Sequence, residues 1–346
     1  MTSMERQLKA TSKPHTRSIV AQASDVPKSE GAKTIDPSIF DAFGKLSQVR
    51  ASVGTVVAKQ AALQRIVLPY PRMLECMWAF ENMLQLGLET RGQPQLGMRV
   101  FFETGTGKTT SARQHALLKQ STAAENSIPV LLASLSSKGT AKQLYVSIMS
   151  ALGDGFAMAG SETTLRLRTM KALKEKGVQL LILDEAHHPG RSGFSSDITA
   201  ELKLMLDMGE LPIVLLGTDE AVPIIGADKE LAGRLMAPCR LGPLDWADDD
   251  DKALWTEFLR SLDDEMIKKG ITNELVGLAD SEVAEALNII CSGVIGRIMR
   301  IMLTAIPLAA NDGRDSIDLE DVAEAVDRWS IEHGFATENP LQDLLE

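Results

Sequence analysis

Aromatic residues make up only 4% of the 346 residues, so the core has to be assembled from Leu, Ile, Val, Met and Ala rather than from stacked rings. Cysteine is scarcer still: Cys76, Cys239 and Cys291, an odd number with no CxxC pair. That count argues against a disulfide framework and a thiolate zinc site, and it fits a reducing cytoplasm. No apolar run reaches the ~18 residues of a membrane span. Residues 1–20 lack the apolar stretch of a secretory signal, so no membrane association is expected. Basic charge is not in excess either. A formal net charge of −11 argues against strong nonspecific nucleic-acid binding over the whole surface, but leaves room for a local basic strip inside an oligomer.

What is present is a globular balance, 44% hydrophobic and 24% charged, in a chain long enough for one large domain or two modest ones. Residues 1–40 are locally basic through Arg6, Lys9, Lys13, Arg17, Lys28 and Lys33. They read as a flexible tail, either simply solvated or an arm for nucleic acid or a partner. Met73, Met77, Phe80 and Leu84 recur at helical spacing after Pro71, which predicts a helix there. Near-continuous apolar runs follow at Met98–Phe102, Pro129–Ala133, Val178–Leu183 and Pro212–Gly217, with a short one near Cys239–Leu241. Helical segments lie between them. That alternation predicts an α/β fold, an αβα core on a five-stranded parallel sheet, over residues 41–245. After Trp246 the strands stop. Ser281–Cys291, Ile295–Ala310 and Asp318–Ile331 read as helices of a small all-helical lid domain, 246–335, followed by a C-terminal tail, 336–346.

Thr104-Gly105-Thr106-Gly107-Lys108-Thr109-Thr110 lies between a predicted strand and a predicted helix, the setting in which such a loop binds phosphate. Gly105 and Gly107 let backbone amides turn inward as an anion nest. The helix N-terminus adds its free N–H groups, Lys108 reaches the β- and γ-phosphates, and Thr109 offers a hydroxyl to Mg²⁺. Phe102 stands where the GxxxxGK[ST] pattern has its first glycine, and a bulky residue there is expected to disturb the turn.

Leu180-Leu-Ile-Leu-Asp-Glu185 is an apolar strand ending in two carboxylates. Asp184 suits Mg²⁺ and Glu185 suits polarising an attacking water. The adjacent His187 and His188 diverge and have no third ligand, so they read as polar contacts rather than a metal pair. Thr218, ending the next apolar run, is placed to position the water. Arg234 in Leu231-Ala-Gly-Arg234 is a candidate finger for a neighbouring subunit's γ-phosphate, with Arg240 second. Arg297 in Gly293-Val-Ile-Gly-Arg297 opens a lid helix from which it reports nucleotide state; the bland alternative is a helix-surface salt bridge.

With these residues the chain resembles AAA+ ATPases, and more narrowly the transposition regulators of the TnsC/TniB kind, over roughly Leu63 to Arg328. The resemblance rests on Pro69-Tyr-Pro-Arg72, the ETGTGKT loop, ILDEAHH, the Leu202-Lys203 helix, IVLLGTDEA, the segment from Asp228 through Leu231-Ala-Gly-Arg234, and Leu244-Asp-Trp246. It implies ATP and Mg²⁺ as cofactors and an ATP-dependent homo-oligomer, ring or filament, that encircles duplex DNA. It also implies a role in bridging a target-site selector, a protein or an RNA-guided complex, to a transposase, with hydrolysis controlling disassembly. It puts Tyr70 near the adenine. In such proteins basic residues grip DNA from the pore; here Lys138, Lys142, Arg166 and Arg168 are the candidates, unless they form an ordinary solvated helix face. The residues also leave open an initiator or loader-type AAA+ ATPase, and a nucleotide-gated scaffold with little hydrolysis.

Overall fold

The apolar runs pair as parallel strands in a computed structural model that describes residues 53–135, 139–185 and 195–345, with the backbone alone for Glu185. The expectations for residues 1–40, Lys138, His187 and His188 fall outside those stretches. The strands are β1 (Gly97–Phe101), β2 (Val130–Leu135), β3 (Leu180–Glu185), β4 (Ile213–Gly217) and β5 (Leu235–Met236), in the spatial order β2-β3-β4-β1-β5. Every pairing is parallel, so each connection must cross over a face of the sheet, and helices supply the crossings. These are α3 (Lys108–Ser121) after β1, α4 (Ala141–Ala151) and α5 (Glu162–Glu175) after β2, and α6 (Ser196–Asp207) after β3. Two short helices, α7 (Val222–Ala227) and α8 (Lys229–Ala232), connect β4 to β5.

The fifth strand lies earlier than the apolar run at Cys239–Leu241 suggests. Leu235 and Met236 pair with Gly97 and Met98. Pro238 then interrupts, and with no N–H to donate it ends the ladder. Leu241 is still fully buried, but as part of the path to the helical region rather than as a strand.

Both faces of the sheet are covered, which is why its strands carry unbroken apolar runs. One face packs Phe101, Leu131, Leu181 and Leu215 against α4–α6. The other face packs Val100, Ile182, Val214 and Leu216 against a cluster that continues into the C-terminal helices. Residues 53–64 form α1, and α2 (Pro71–Glu89) buries Met73, Cys76, Phe80, Met83 and Leu84 at helical spacing. Each fully buried side chain of this size contributes about 1.5–3 kcal/mol of transfer free energy.

The C-terminal helices are α9 (Asp249–Lys268), α10 (Ser281–Cys291), α11 (Ile295–Asn311) and α12 (Leu319–Ala325), continued by a π-helical turn, Val326–Ile331. Asp318 caps α12 in a reciprocal capping box with Asp321. Trp255 is fully buried and its indole donates to the Ala284 carbonyl at 2.9 Å. Residues 336–345 do not trail away as a tail. Leu341 is fully buried, and Asn339 donates to Ala323 O and Asp327 Oδ1, both at 2.8 Å. No single described helix is long and apolar enough to cross a membrane.

Candidate nucleotide site

The loop after β1 has the backbone that an anion nest requires. Gly105 and Gly107 both take positive φ, 96° and 95°, a region other residues enter only at a steric cost. Gly107 is also the N-cap of α3. The first helical bond runs from Ser111 N to Gly107 O at 2.8 Å, so the amides of Lys108, Thr109 and Thr110 have no intrahelical acceptor and point out of the helix beside the nest.

Phe102 does not disturb this turn. Its amide continues the ladder to Gly217 O at 3.2 Å. Its ring covers Gly242, where an added Cβ would lie 3.2 Å from the ring. The bulky residue is therefore accommodated by a glycine elsewhere in the chain.

Lys108 is only 4% exposed, and its ammonium donates to the carbonyls of Phe102 and Glu103 at 2.6 and 2.7 Å. Thr106 is buried and its hydroxyl donates to Glu103 O at 3.1 Å. Thr104 lies in the turn between them. Thr109 Oγ1 donates to Asp184 Oδ2 at 2.7 Å, which brings the loop and the acidic strand end together. Asp184 pairs with Leu216 on β4, and Thr218 lies two residues beyond Leu216, next to the loop end of β1. Thr218 also starts a 3₁₀ turn, accepting from Ala221 N at 3.0 Å. Glu185 is the last residue of β3, in register with Leu135.

Beside the loop lies a cavity of about 120 Å³ whose wall includes Ile66, Leu68, Tyr70, Thr110, Phe258 and Met299. It is mostly apolar with backbone polar groups on one side, the lining that suits a planar heterocycle. The Tyr70 hydroxyl donates to Thr106 O at 3.3 Å and its ring meets Phe258 edge-on at 6.1 Å. Burial pushes the Tyr70 phenol well above its ordinary value, so it stays a neutral donor.

The helical region closes over the loop through the Gly293–Arg297 segment. Gly293 has φ +69°, and a Cβ there would fall 2.1 Å from Leu244 O. Leu244 N donates back to Gly293 O at 3.0 Å. Gly296 N donates to Gly105 O at 2.9 Å, and a Cβ on Gly296 would meet that oxygen at 2.6 Å. Glycine at both positions is thus a condition of close approach. Arg297 donates to Glu103 Oε2 at 2.8 Å and to Cys291 O at 3.0 Å, and its guanidinium lies 4.8 Å over the Phe335 ring.

Two residues of this region carry no signal of their own in the sequence. Glu103 is only a variable position of the loop pattern. Arg72 belongs to a motif without an assigned task, yet it bridges α2 to α9. It pairs with Asp251 and donates to Pro243 O at 3.2 Å, while Asp251 Oδ2 accepts from Asp245 N at 3.0 Å. An arginine after Tyr-Pro and an acid-rich start to α9 were the available hints.

Other sequence candidates lie away from the loop. Arg234 O accepts from the amide of Gly97, the first residue of β1, so Arg234 sits at the end of the sheet opposite the phosphate loop. It makes a two-pronged pair with Asp207, both contacts 2.9 Å, and donates to Glu230 O at 2.8 Å. Arg240 is exposed. Arg166 pairs with Glu201 at 3.7 Å, and Arg168 with Asp154 at 2.6 Å and Ala159 O at 2.9 Å. Lys142, in the first turn of α4, makes no ion pair with another described residue.

A parallel sheet in this order, a glycine nest entering α3, an acidic end to β3 and a helical lid over the loop define the fold of the AAA+ ATPases. The chain belongs to the TniB family: the family model described as "Bacterial TniB protein" matches residues 60–241, just over half of the chain. Among solved structures it is similar to Cdc6p from Pyrobaculum aerophilum, with 15% identity over 77% of this chain and 69% of that one and a TM-score of 0.54. The ORC2 protein of Aeropyrum pernix in its ADP form gives 14% identity over 78% and 72%, TM-score 0.55. The ORC1 protein of Aeropyrum pernix in complex with DNA gives 15% over 77% and 68%, TM-score 0.54. No curated protein matches the chain.

Proposed function

We propose that the chain binds ATP with Mg²⁺ beside the phosphate loop, hydrolyses it, and in the ATP state assembles as a ring or filament on duplex DNA in the cytoplasm. That assembly links a target-site selector, a protein or an RNA-guided complex, to a transposase, and hydrolysis releases it. The observation that carries the nucleotide reading is the 2.7 Å contact between Thr109 and Asp184 under a nest built by Gly105 and Gly107. A hydroxyl in the first turn of α3 and a carboxylate near the end of β3 are oxygen donors of the kind a hard divalent cation takes. Mg²⁺ held by Thr109 and Asp184 would offset charge building on the phosphates.

The chain's own residues divide the remaining work. Loop amides and Lys108 hold the phosphates, while Tyr70 and the apolar wall take the base. Glu185 polarises the attacking water and Thr218 orients it. Arg234 serves a neighbouring subunit's γ-phosphate, and Arg297 reads the γ-phosphate from the lid. The DNA and transposase parts of the proposal rest on family membership. Lys138, Lys142, Arg166 and Arg168 are assigned to the DNA backbone, and the two arginines must exchange Glu201 and Asp154 for phosphate to act there.

Electron microscopy with duplex DNA, with and without ATP, tests the assembly. Lys108→Ala is expected to lose both ATP binding and ATP-dependent assembly. Glu185→Gln is expected to bind ATP and persist as assemblies, with turnover reduced about 10²-fold or more. Rapid turnover by Glu185→Gln would remove Glu185 from its role.

A further inference from the structure

The loop assigned to polyphosphate carries a carboxylate of its own. Glu103 reaches the lid, and its ion-pair partner among the described residues is Arg297, at 2.8 Å. The arginine side chain is 15% exposed and the glutamate 36%. The neighbouring residue, Gly296, is hydrogen-bonded to Gly105 at 2.9 Å. The lid is therefore seated on the loop by one ion pair and one backbone bond at adjacent residues. Lys108 donates to the backbone carbonyl of Glu103 at 2.7 Å.

A carboxylate beside a phosphate site repels every nucleotide, so its presence there calls for a use. Arg297 spends one terminal nitrogen on Glu103 and the other on Cys291 O, so a two-pronged grip on a γ-phosphate needs the nitrogen that Glu103 now holds. Arg297 cannot keep Glu103 and fully engage a γ-phosphate together. Glu103, about one-third exposed, can rehydrate when released.

We propose that Glu103 is a positioning residue that competes with the γ-phosphate for Arg297, holding the arginine and the lid on the loop until a triphosphate takes the guanidinium over. The proposal rests on the reading of the loop as an ATP site. A diphosphate does not reach the exchange position, so the pair stays closed with ADP. Glu103 thus lowers affinity for ATP selectively, and it resets Arg297 after the γ-phosphate leaves.

The test uses the full chain and its variants Glu103→Gln, Arg297→Ala and the double variant. Each is titrated with Mg²⁺ and either a slowly hydrolysed ATP analogue or ADP. Hydrogen exchange at residues 294–300 is followed without nucleotide. Glu103→Gln is expected to bind the triphosphate about tenfold more tightly and ADP within about twofold of the parent. The gain should vanish in the Arg297→Ala background, as a coupled pair requires. Exchange at 294–300 should quicken in both single variants. Equal gains for ATP and ADP would reduce Glu103 to a general repulsive charge and overturn the proposal. A gain that survives Arg297→Ala, or no gain at all, overturns it too. If Glu103→Gln does not fold, Arg297→Lys, which keeps the charge and loses the fork, is expected to lose the preference for triphosphate; an unchanged preference counts against the handover. Lys108→Ala separates the two levels: if it binds ATP as well as the parent, the ATP-site reading itself fails and this inference falls with it.

Discussion

At the scale of single residues, the clasp between α2 and α3 shows how a charge survives partial burial. Glu81 sits between His115 Nε2 at 3.0 Å and Lys119 Nζ at 2.9 Å. Burial alone would raise the Glu81 pKa, but hydrogen bonds from Gln85, Lys119 and His115 outweigh it and draw it down to about 2. A carboxylate with a depressed folded-state pKa contributes stability that is fully present above its unfolded value. That contribution fades as pH falls through the folded value. The Glu81 contribution should therefore be whole above about pH 4.5 and lost towards pH 2. Glu81→Gln should lower the melting temperature at neutral pH and flatten the acid limb over that interval, read by thermal unfolding across pH. Burial also lowers the His115 pKa, so charging this imidazole opposes folding as the medium is acidified. The catalytic candidates on the loop and on β3 were legible because their types and spacing are fixed by chemistry. Glu103 was not, because its partner lies 194 positions away in sequence. Cys239 and Met98 likewise look unrelated in the sequence, yet the Cys239 thiol donates to Met98 Sδ at 3.5 Å.

At the scale of elements, strand positions were legible where an apolar run is long and buried on both faces. β4, buried throughout, is such a case. β5 was misplaced because two residues carry almost no pattern, and only the pairing with Gly97 and Met98 defines it. Helix starts were read well where a capping residue marks them, as Asp318 does for α12. The turn between α10 and α11 depends on fit that the sequence states only as a pair of glycines. Gly293→Ala must adopt positive φ and clear an oxygen 2.1 Å from its new Cβ. It should cost more than ~1 kcal/mol, read as a lower denaturant midpoint, and it should weaken nucleotide binding by lifting the lid. Unchanged binding in a folded Gly293→Ala protein would mean that the lid does not contribute to the site.

At the scale of the whole molecule, one apolar cluster joins the sheet to the C-terminal helices, from Val100 and Leu216 to Trp255 and Ile301. The sequence implied a lid as a separate domain. Continuity of the core was hidden because the joining side chains come from distant segments. Arg234 belongs to this scale as well, since it lies at the far end of the sheet from its own loop. An arginine held by Asp207 and Glu230 O at that end of the sheet does not reach its own chain's loop. Mixing Glu185→Gln with Arg234→Ala should restore turnover that neither variant has when assembled alone, up to about a quarter of the parent rate if subunits pair at random. No recovery in a mixture that still co-assembles would assign the finger to another residue.

Phe102 gives the loop a mechanical property that a glycine there would lack. Its ring rests on Gly242, and Arg72 donates to Gly242 O at 3.4 Å. A swing of the helical region about residues 242–244 would slide that glycine beneath the ring and so couple linker to loop. Phe102→Gly should remove that coupling: ATP would still bind, but hydrogen exchange in α9–α11 would no longer change when it does. Unaltered transmission in that variant would mean that the lid turns on Gly293 and Gly296 alone.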